Sequence, residues 1–138
     1  MFEDLALSLD RGNGLPLYRQ VVDYFWQAVV EGQLEAGQKL PTVRQLAIDF
    51  KLHPDTVGRA YDELELLGVF VQRPGEGTFV GLKTPDREKF ERRVKLDGIC
   101  RETISQAAAL KFSLEELIEA FSEFRHGSEQ SETERKQE

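Results

Sequence analysis

The chain has 138 residues, with 18 Lys plus Arg against 25 Asp plus Glu and a formal net charge of −7. That length suits one ordinary domain, or a small domain with an appendage, and buries enough surface to need no covalent staple. The single Cys, Cys100, excludes an intrachain disulfide framework and a Cys-based zinc site, and the acidic balance argues against a polyanionic partner, since such binders usually carry a basic patch. No stretch approaches the roughly 18 apolar residues of a membrane span. The opening Met1-Phe2-Glu3-Asp4 lacks the basic start of a signal peptide. A cytoplasmic protein with no membrane partner is expected.

Leu5, Leu7 and Leu9 alternate with Ala6, Ser8 and Asp10, and period two predicts a short edge strand. Gly12-Asn13-Gly14 then breaks the chain. From Pro16 the period becomes helical: Tyr18, Val21, Val22, Phe25 and Val29 form a stripe that Gly32 ends. Thr42 with Gln45 three residues on is a capping-box signature, followed by Val43, Leu46, Ala47 and Phe50 on a helix of about two turns. Pro54 suits a first helical turn, and Val57, Ala60, Tyr61, Leu64 and Leu67 give the next helix its apolar face, with Gly68 as its stop. Val69-Phe70-Val71 and Thr78-Phe79-Val80, around the turn-rich Pro74-Gly75-Glu76-Gly77, read as a β-hairpin. Lys83-Thr84-Pro85 reads as a linker. Residues 86–110 carry a long helical pattern, and Ser113 with Glu116 caps a further helix bearing Leu114, Leu117, Ile118, Phe121 and Phe124. Residues 127–138 are polar and expected to be disordered.

Three helices followed by a hairpin is the pattern of a winged helix-turn-helix, in which the second helix of the pair enters the DNA major groove and the hairpin is the wing. The fold class expected is therefore mainly α with a small β-hairpin wing, followed by a two-helix C-terminal region. The domains expected are 1–82 for the winged helix with its N-terminal strand, 83–126 for a helical dimerisation region and 127–138 for the tail. Core positions are Leu46, Ala47, Phe50, Val57, Ala60, Tyr61 and Leu64; Trp26 is assigned to core or interface, and Cys100 to packing.

The residues add specificity. Pro16-Leu17-Tyr18-Arg19-Gln20, the run Glu31 to Ala47, Thr56 to Glu65, Gly68 and Gly75-Glu76-Gly77-Thr78-Phe79-Val80 agree in register with one pattern. Over residues 12–81 the chain closely resembles the N-terminal DNA-binding domain of the GntR family of bacterial transcription regulators. Only 57 residues follow Gly81, too few for the large effector-binding domains of most branches. Together with the N-terminal leucine segment and Gly14-Leu15-Pro16-Leu17-Tyr18, this resembles the YtrA-type branch. That resemblance implies a short helical region used for dimerisation, and regulation, by repression, of transporter operons.

The resemblance implies DNA contact at Arg44, whose guanidinium can fork onto phosphate or guanine. Lys39 and Thr42 are further phosphate candidates, Thr42 also being a cap. At the start of the third helix His53, Asp55, Thr56 and Arg59 are candidates for base edges. Thr56 and Arg59 match the family pattern, whereas His53-Pro54-Asp55 departs from it, which puts the usual operator sequence in doubt. His53 reads equally as an N-cap or a DNA contact. Asp55 reads equally as an acceptor for cytosine N4 or as a charge placed at a helix N-terminus. In the wing Arg73, Gly75, Gly77 and Thr78 match the family, and glycines there permit close backbone approach. Gly75-Glu76-Gly77 is not a nucleotide-binding loop, for it lacks the following helix and the Lys-Ser/Thr of a P-loop.

Leu96, Ile99 and Thr103, with Leu114, Leu117, Ile118 and Phe121, form apolar faces that predict a homodimer, and two-fold symmetry would present two recognition helices to a pseudo-palindromic double-stranded operator. The alternative left open is a winged-helix protein-interaction module with weak or no DNA binding. An enzyme is not expected: His53 and His126 lie in dissimilar segments, and no nucleophile–base or metal-ligand cluster appears, so neither cofactor nor metal is expected. No effector is legible, because the C-terminal region is short for a pocket of roughly several hundred Å³.

Dividing the charge sharpens the first impression. Residues 12–81 hold six bases and nine acids, so the acidity lies in the expected DNA-binding segment itself. Four of those bases, Lys39, Arg44, Arg59 and Arg73, are contact candidates. The expectation is a narrow basic face on an acidic body, with few phosphate contacts per subunit.

Overall fold

A computed structural model describes residues 2–12 and 14–137, with the side chains of Glu3, Ala6, Leu7 and residues 128–137 outside the description. The described elements are α1 (Glu3–Ser8), α2 (Leu17–Val30), α3 (Val43–Asp49), α4 (Pro54–Leu66), β1 (Phe70–Arg73), β2 (Gly77–Val80), α5 (Arg87–Ala109) and α6 (Leu114–Gln137). They divide into two compact units, Met1–Asp97 and Gly98–Glu138.

The N-terminal segment is a helix, not the strand that its alternation predicts. Phe2, Leu5 and Leu9 are spaced three and four apart and share a helical face. Leu5 is fully buried, and Phe2 and Leu9 pack on the same core. The Phe2 ring meets Phe25 edge-on at 5.3 Å. Tyr24 donates its hydroxyl hydrogen to the Asp4 carboxylate. A side-chain face satisfied every third or fourth residue therefore overrides a leucine alternation only five residues long. Asn13, the centre of the expected chain break, lies outside the described residues.

Helix α2 buries Val21, Val22, Phe25, Trp26 and Val29. It ends as expected at Gly32, whose φ of 78° lets its N–H reach Val29 O and that of Gln33 reach Ala28 O at 2.8 Å. The same closure ends α4 at Gly68, with Val69 N–H on Leu64 O at 2.9 Å. Helix α3 has both halves of its capping box: Gln45 N–H to Thr42 Oγ1 and Thr42 N–H to Gln45 Oε1, each 3.0 Å. It closes through Lys51, a non-glycine residue at φ 54°, and buried Leu52 plugs the turn into α4.

The core is centred on three aromatic rings. Phe25, Tyr61 and Phe70 contact one another edge to face at 5.3 to 5.9 Å, each pair contributing about 0.5–1.5 kcal/mol beyond its area. The Tyr61 hydroxyl donates to Pro41 O at 2.8 Å, which pins α4 to the segment entering α3. Strands β1 and β2 pair antiparallel, Phe70 with Val80 through Arg73 with Gly77. A third chain segment lies along the other edge of β2. Val80 N–H donates to Gln38 O and Leu40 N–H to Thr78 O, both at 2.8 Å.

Helix α5 starts inside the first unit. Phe90 is buried against Trp26, ring centroids 5.4 Å apart. Arg93 sits between Asp23 of α2 at 2.7 Å and Glu63 of α4 at 3.0 Å. Arg19 Nη2 is 2.7 Å from buried Asp97 Oδ1. The unit boundary accordingly falls within α5, after Asp97, beyond the Lys83-Thr84-Pro85 segment where composition places it.

In the second unit, α5 ends through Lys111 at φ 66°, and Ser113 and Glu116 form a reciprocal cap at 2.7 and 3.1 Å. Ile99, Leu114, Ile118 and Phe121 are exposed, and Thr103 and Leu117 half-buried. Cys100 is exposed, not packed as expected. The backbone of α6 is helical through Gln137, where low apolar content predicts disorder; Glu, Lys, Arg and Gln there are good helix formers.

Candidate nucleic-acid interface

The helix pair α3–α4 with its caps, the hairpin and the segment paired to its β2 edge carry the candidate contact residues. Arg44, in the first turn of α3, is exposed, and no ion pair or hydrogen bond to a described residue ties its guanidinium. Thr42 is engaged as the N-cap of α3, so its loss costs about 1 kcal/mol in helix stability besides any effect on a ligand.

The start of α4 resolves one open reading. His53 is its N-cap: Nδ1 accepts the Asp55 N–H at 3.1 Å. That bond needs an unprotonated Nδ1, which in the neutral ring leaves Nε2–H as a donor. The ring is exposed, so capping and an outward contact use different nitrogens. Asp55 lies in the first helical turn with its carboxylate almost fully exposed, Oδ2 3.6 Å from His53 Nδ1. It is stabilised there by the N-terminal end of the helix dipole and remains available as an acceptor. Thr56 is half-buried.

Arg59, one turn along, lies over the Tyr18 ring with Cζ 3.8 Å from its centroid, and Nη2 donates to Tyr18 Oη at 3.2 Å. In the hairpin, the Arg73 guanidinium lies 5.2 Å from the Phe79 ring centroid. Pro74 and Gly75 occupy the two central positions of the turn, which Glu76 N–H closes onto Arg73 O at 3.0 Å, and Gly75 has φ 78°. That combination is the type II signature. Gly77 is required by its φ of 125°; a Cβ there would also stand 3.0 Å from Lys39 Cε, the flexible end of a side chain that can shift. Lys39 pairs with Phe79 across the edge of β2, next to Thr78. The structure thus brings Arg73, Gly75, Gly77 and Thr78 together on the hairpin, with Lys39 on the segment that pairs with its β2 edge. It places His53, Asp55, Thr56 and Arg59 on the first turns of α4.

Sequence reasoning missed Tyr18 as part of this surface, having placed it in the apolar stripe of α2, and missed Phe79 as the support for Arg73. It also missed the charged cluster behind α4, formed by Arg19, Asp23, Glu63, Arg93 and Asp97. Burial raises the Asp23 carboxyl from 3.8 to about 6, helped by its contact with Asp97 and opposed by Arg93. Among the described residues no group of three or more His, Cys, Asp or Glu side chains is arranged to hold a metal ion. No helix among them is long and apolar enough to cross a membrane.

Comparison with known proteins gives the fold its family. Residues 17–80 match the family "Bacterial regulatory proteins, gntR family". Over 116 residues, 81% of this chain and 92% of the relative, it is 35% identical to the uncharacterised HTH-type transcriptional regulator YhcF of Bacillus subtilis. It is 34% identical to the HTH-type transcriptional repressor YtrA of the same organism over 54% of this chain and 57% of that one. Among solved structures, a GntR family transcriptional regulator from Listeria monocytogenes aligns with a TM-score of 0.54 at 30% identity, covering 83% of this chain and 98% of that one. The GntR-family factor YtrA from Sulfolobus acidocaldarius aligns at 0.50 and 26% identity, over 86% and 96%. With the helix pair, the hairpin and these matches in register, the chain belongs to the GntR family and is a transcriptional regulator with a helix-turn-helix DNA-binding domain.

Proposed function

We propose that the chain is a repressor that binds a pseudo-palindromic operator as a homodimer, in the manner of the YtrA-type branch, with a transporter operon as its target. The observation that carries the DNA-contact part is the α4 N-terminus. His53 Nε2–H, the Asp55 carboxylate and Arg59 are a donor, an acceptor and a fork donor within two turns, all exposed, which is the chemistry that reads base edges in a major groove. Lys39, Arg44 and Arg73 supply phosphate contacts around it. The dimer is supported by Leu96, Ile99, Leu114, Ile118 and Phe121, which expose apolar side chains in a chain otherwise rich in charge; exposed apolar surface of this kind marks association sites. Repression rests on the likeness to a relative called a repressor, and a transporter target on the resemblance to the YtrA-type branch.

The test is binding of the full chain to duplexes from its own promoter as salt is varied. A dimer engaging two to four phosphates per subunit should show a log–log salt slope of about −4 to −7. Arg44→Ala should weaken all duplexes alike and make the slope shallower by about 2 per dimer. Asp55→Asn or Thr56→Ala should instead change which sequence is preferred. Failure to retard any promoter fragment at low salt would favour the protein-interaction reading, which the exposed Asp55 and the acidity of residues 12–81 also fit.

A further inference from the structure

The guanidinium of Arg59 is held by two different contacts from one side chain. The guanidinium Cζ lies 3.8 Å from the Tyr18 ring centroid, and Nη2 donates to Tyr18 Oη at 3.2 Å; a cation over the ring face and a hydrogen bond to its hydroxyl together restrict where the fork can lie. Tyr18 is itself anchored. It is half-buried against the core in the first turn of α2. Two residues on, the buried Gln20 side chain ties that end of the helix down. Its amide donates to Asp10 O at 2.7 Å and Leu15 O at 2.9 Å, and its carbonyl accepts from Asp10 N–H at 2.7 Å.

An unrestrained Arg side chain gives up roughly 2 kcal/mol of rotamer freedom when it is fixed by a ligand. Here much of that freedom is already lost in the free protein. One of five N–H donors is used on Tyr18, and no other hydrogen bond or ion pair to a described residue engages the rest. Arg59 stands four residues after Asp55 and three after Thr56, so the three share one face of α4. A tie serving only to join α2 to α4 would be stronger as a buried apolar pair than as an exposed cation with most of its donors unused.

We propose that Tyr18 is a positioning residue for sequence reading: it presents Arg59 as a pre-set fork to an acceptor pair on DNA, such as guanine O6 and N7. The proposal rests on the DNA-binding reading above.

The experiment uses duplexes selected by the wild-type full chain from a randomised library, with affinity measured by fluorescence anisotropy for the selected and scrambled sequences. Tyr18→Leu should weaken binding to the selected duplex about five- to tenfold and leave the scrambled duplex nearly unchanged. In an Arg59→Ala background the same change should cost less than about twofold. Tyr18→Phe, which keeps the stack and loses the hydroxyl, should fall between wild type and Tyr18→Leu. Arg59→Lys, which keeps the charge and loses the fork, should lose discrimination as Arg59→Ala does. Equal losses from Tyr18→Leu in both backgrounds, or equal losses on selected and scrambled duplexes, would overturn the positioning role while leaving DNA binding intact. A wild-type chain that selects no duplex would sink the DNA-binding reading and this proposal together.

Discussion

Gly58 sits inside α4, where glycine costs about 1 kcal/mol relative to alanine. A Cβ there would lie 4.0 Å from Val43 Cγ1, an ordinary contact. Gly58→Ala should therefore raise the unfolding free energy by about 0.5–1 kcal/mol in a denaturant titration. Gly81 is the opposite case: its added Cβ would stand 2.8 Å from Gly68 O and 3.3 Å from Val69 O. Gly81→Ala should lower stability by about 2 kcal/mol or more, because both obstacles are backbone. At this scale the sequence is readable wherever the signal is local. Thr42 with Gln45, Ser113 with Glu116, and Gly32 and Gly68 after their helices each declare a cap within a few residues. Tyr18 and Arg59 are 41 residues apart, and nothing in either neighbourhood announces that they meet. His53 shows a third situation: both of its readings were chemically open, and the hydrogen bond to Asp55 N–H shows that it caps without closing the other.

The elements α2, α4 and α5 are joined by a cluster holding three carboxylates and two guanidiniums: Asp23, Glu63 and Asp97 against Arg19 and Arg93. Asp97 is buried, and although Arg19 Nη2 is 2.7 Å away, no aligned donor hydrogen reaches its oxygens. A protonated Asp23 carboxyl, whose side chain contacts Asp97, supplies one and balances the charge. Since burial and the Asp97 contact lift the Asp23 carboxyl from 3.8 to about 6, the folded state holds this proton over a range in which the unfolded chain has released it. The contribution is complete below pH 3.8 and lost as pH rises through about 6. It amounts to up to about 3 kcal/mol on the linkage relation. Asp23→Asn, whose amide can donate to Asp97 while its carbonyl accepts from Arg93, should remove that slope and raise stability at neutral pH by about 1 kcal/mol. Thermal melts across pH 4 to 7.5 check this; an unchanged slope in the variant would sink the raised Asp23 carboxyl as its cause. The same cluster ties the start of α5 to the first compact unit, which runs through Asp97. Charge pairing across α2, α4 and α5 is a tertiary property, whereas Lys83-Thr84-Pro85 is a local one. Helix α1 departs from its strand-like alternation for a related reason: the alternation of Leu5, Leu7 and Leu9 is local, but the face that counts is the one that meets Phe25.

For the whole molecule, association and charge decide behaviour. Phe121 and Ile118 are exposed, so Phe121→Glu should leave the fold intact while shifting sedimentation to monomer. Operator affinity should drop at least tenfold, because two half-sites are no longer bound as one. A variant that remains dimeric would place the interface elsewhere. Several of the nine carboxylates of residues 12–81 are engaged within the fold and weigh less against DNA binding, whereas Asp55 stays exposed on α4. Asp23 and Glu63 are turned to Arg93, and Asp62 accepts from Gln72 Nε2 at 3.1 Å. The hairpin and the recognition helix retain their cations. Finally, the cap at His53 bears on how such a regulator can change its target. A side chain at that position must accept a backbone N–H before it can do anything else, and Pro54 offers no N–H of its own. The residues that suit position 53 are therefore few, Ser, Thr, Asn, Asp and His through a side-chain cap, and Gly at a cost of roughly a few tenths of a kcal/mol. Descendants that acquire new operators are expected to vary at 55, 56 and 59, where helix stability sets no such requirement, and to drift little at 53.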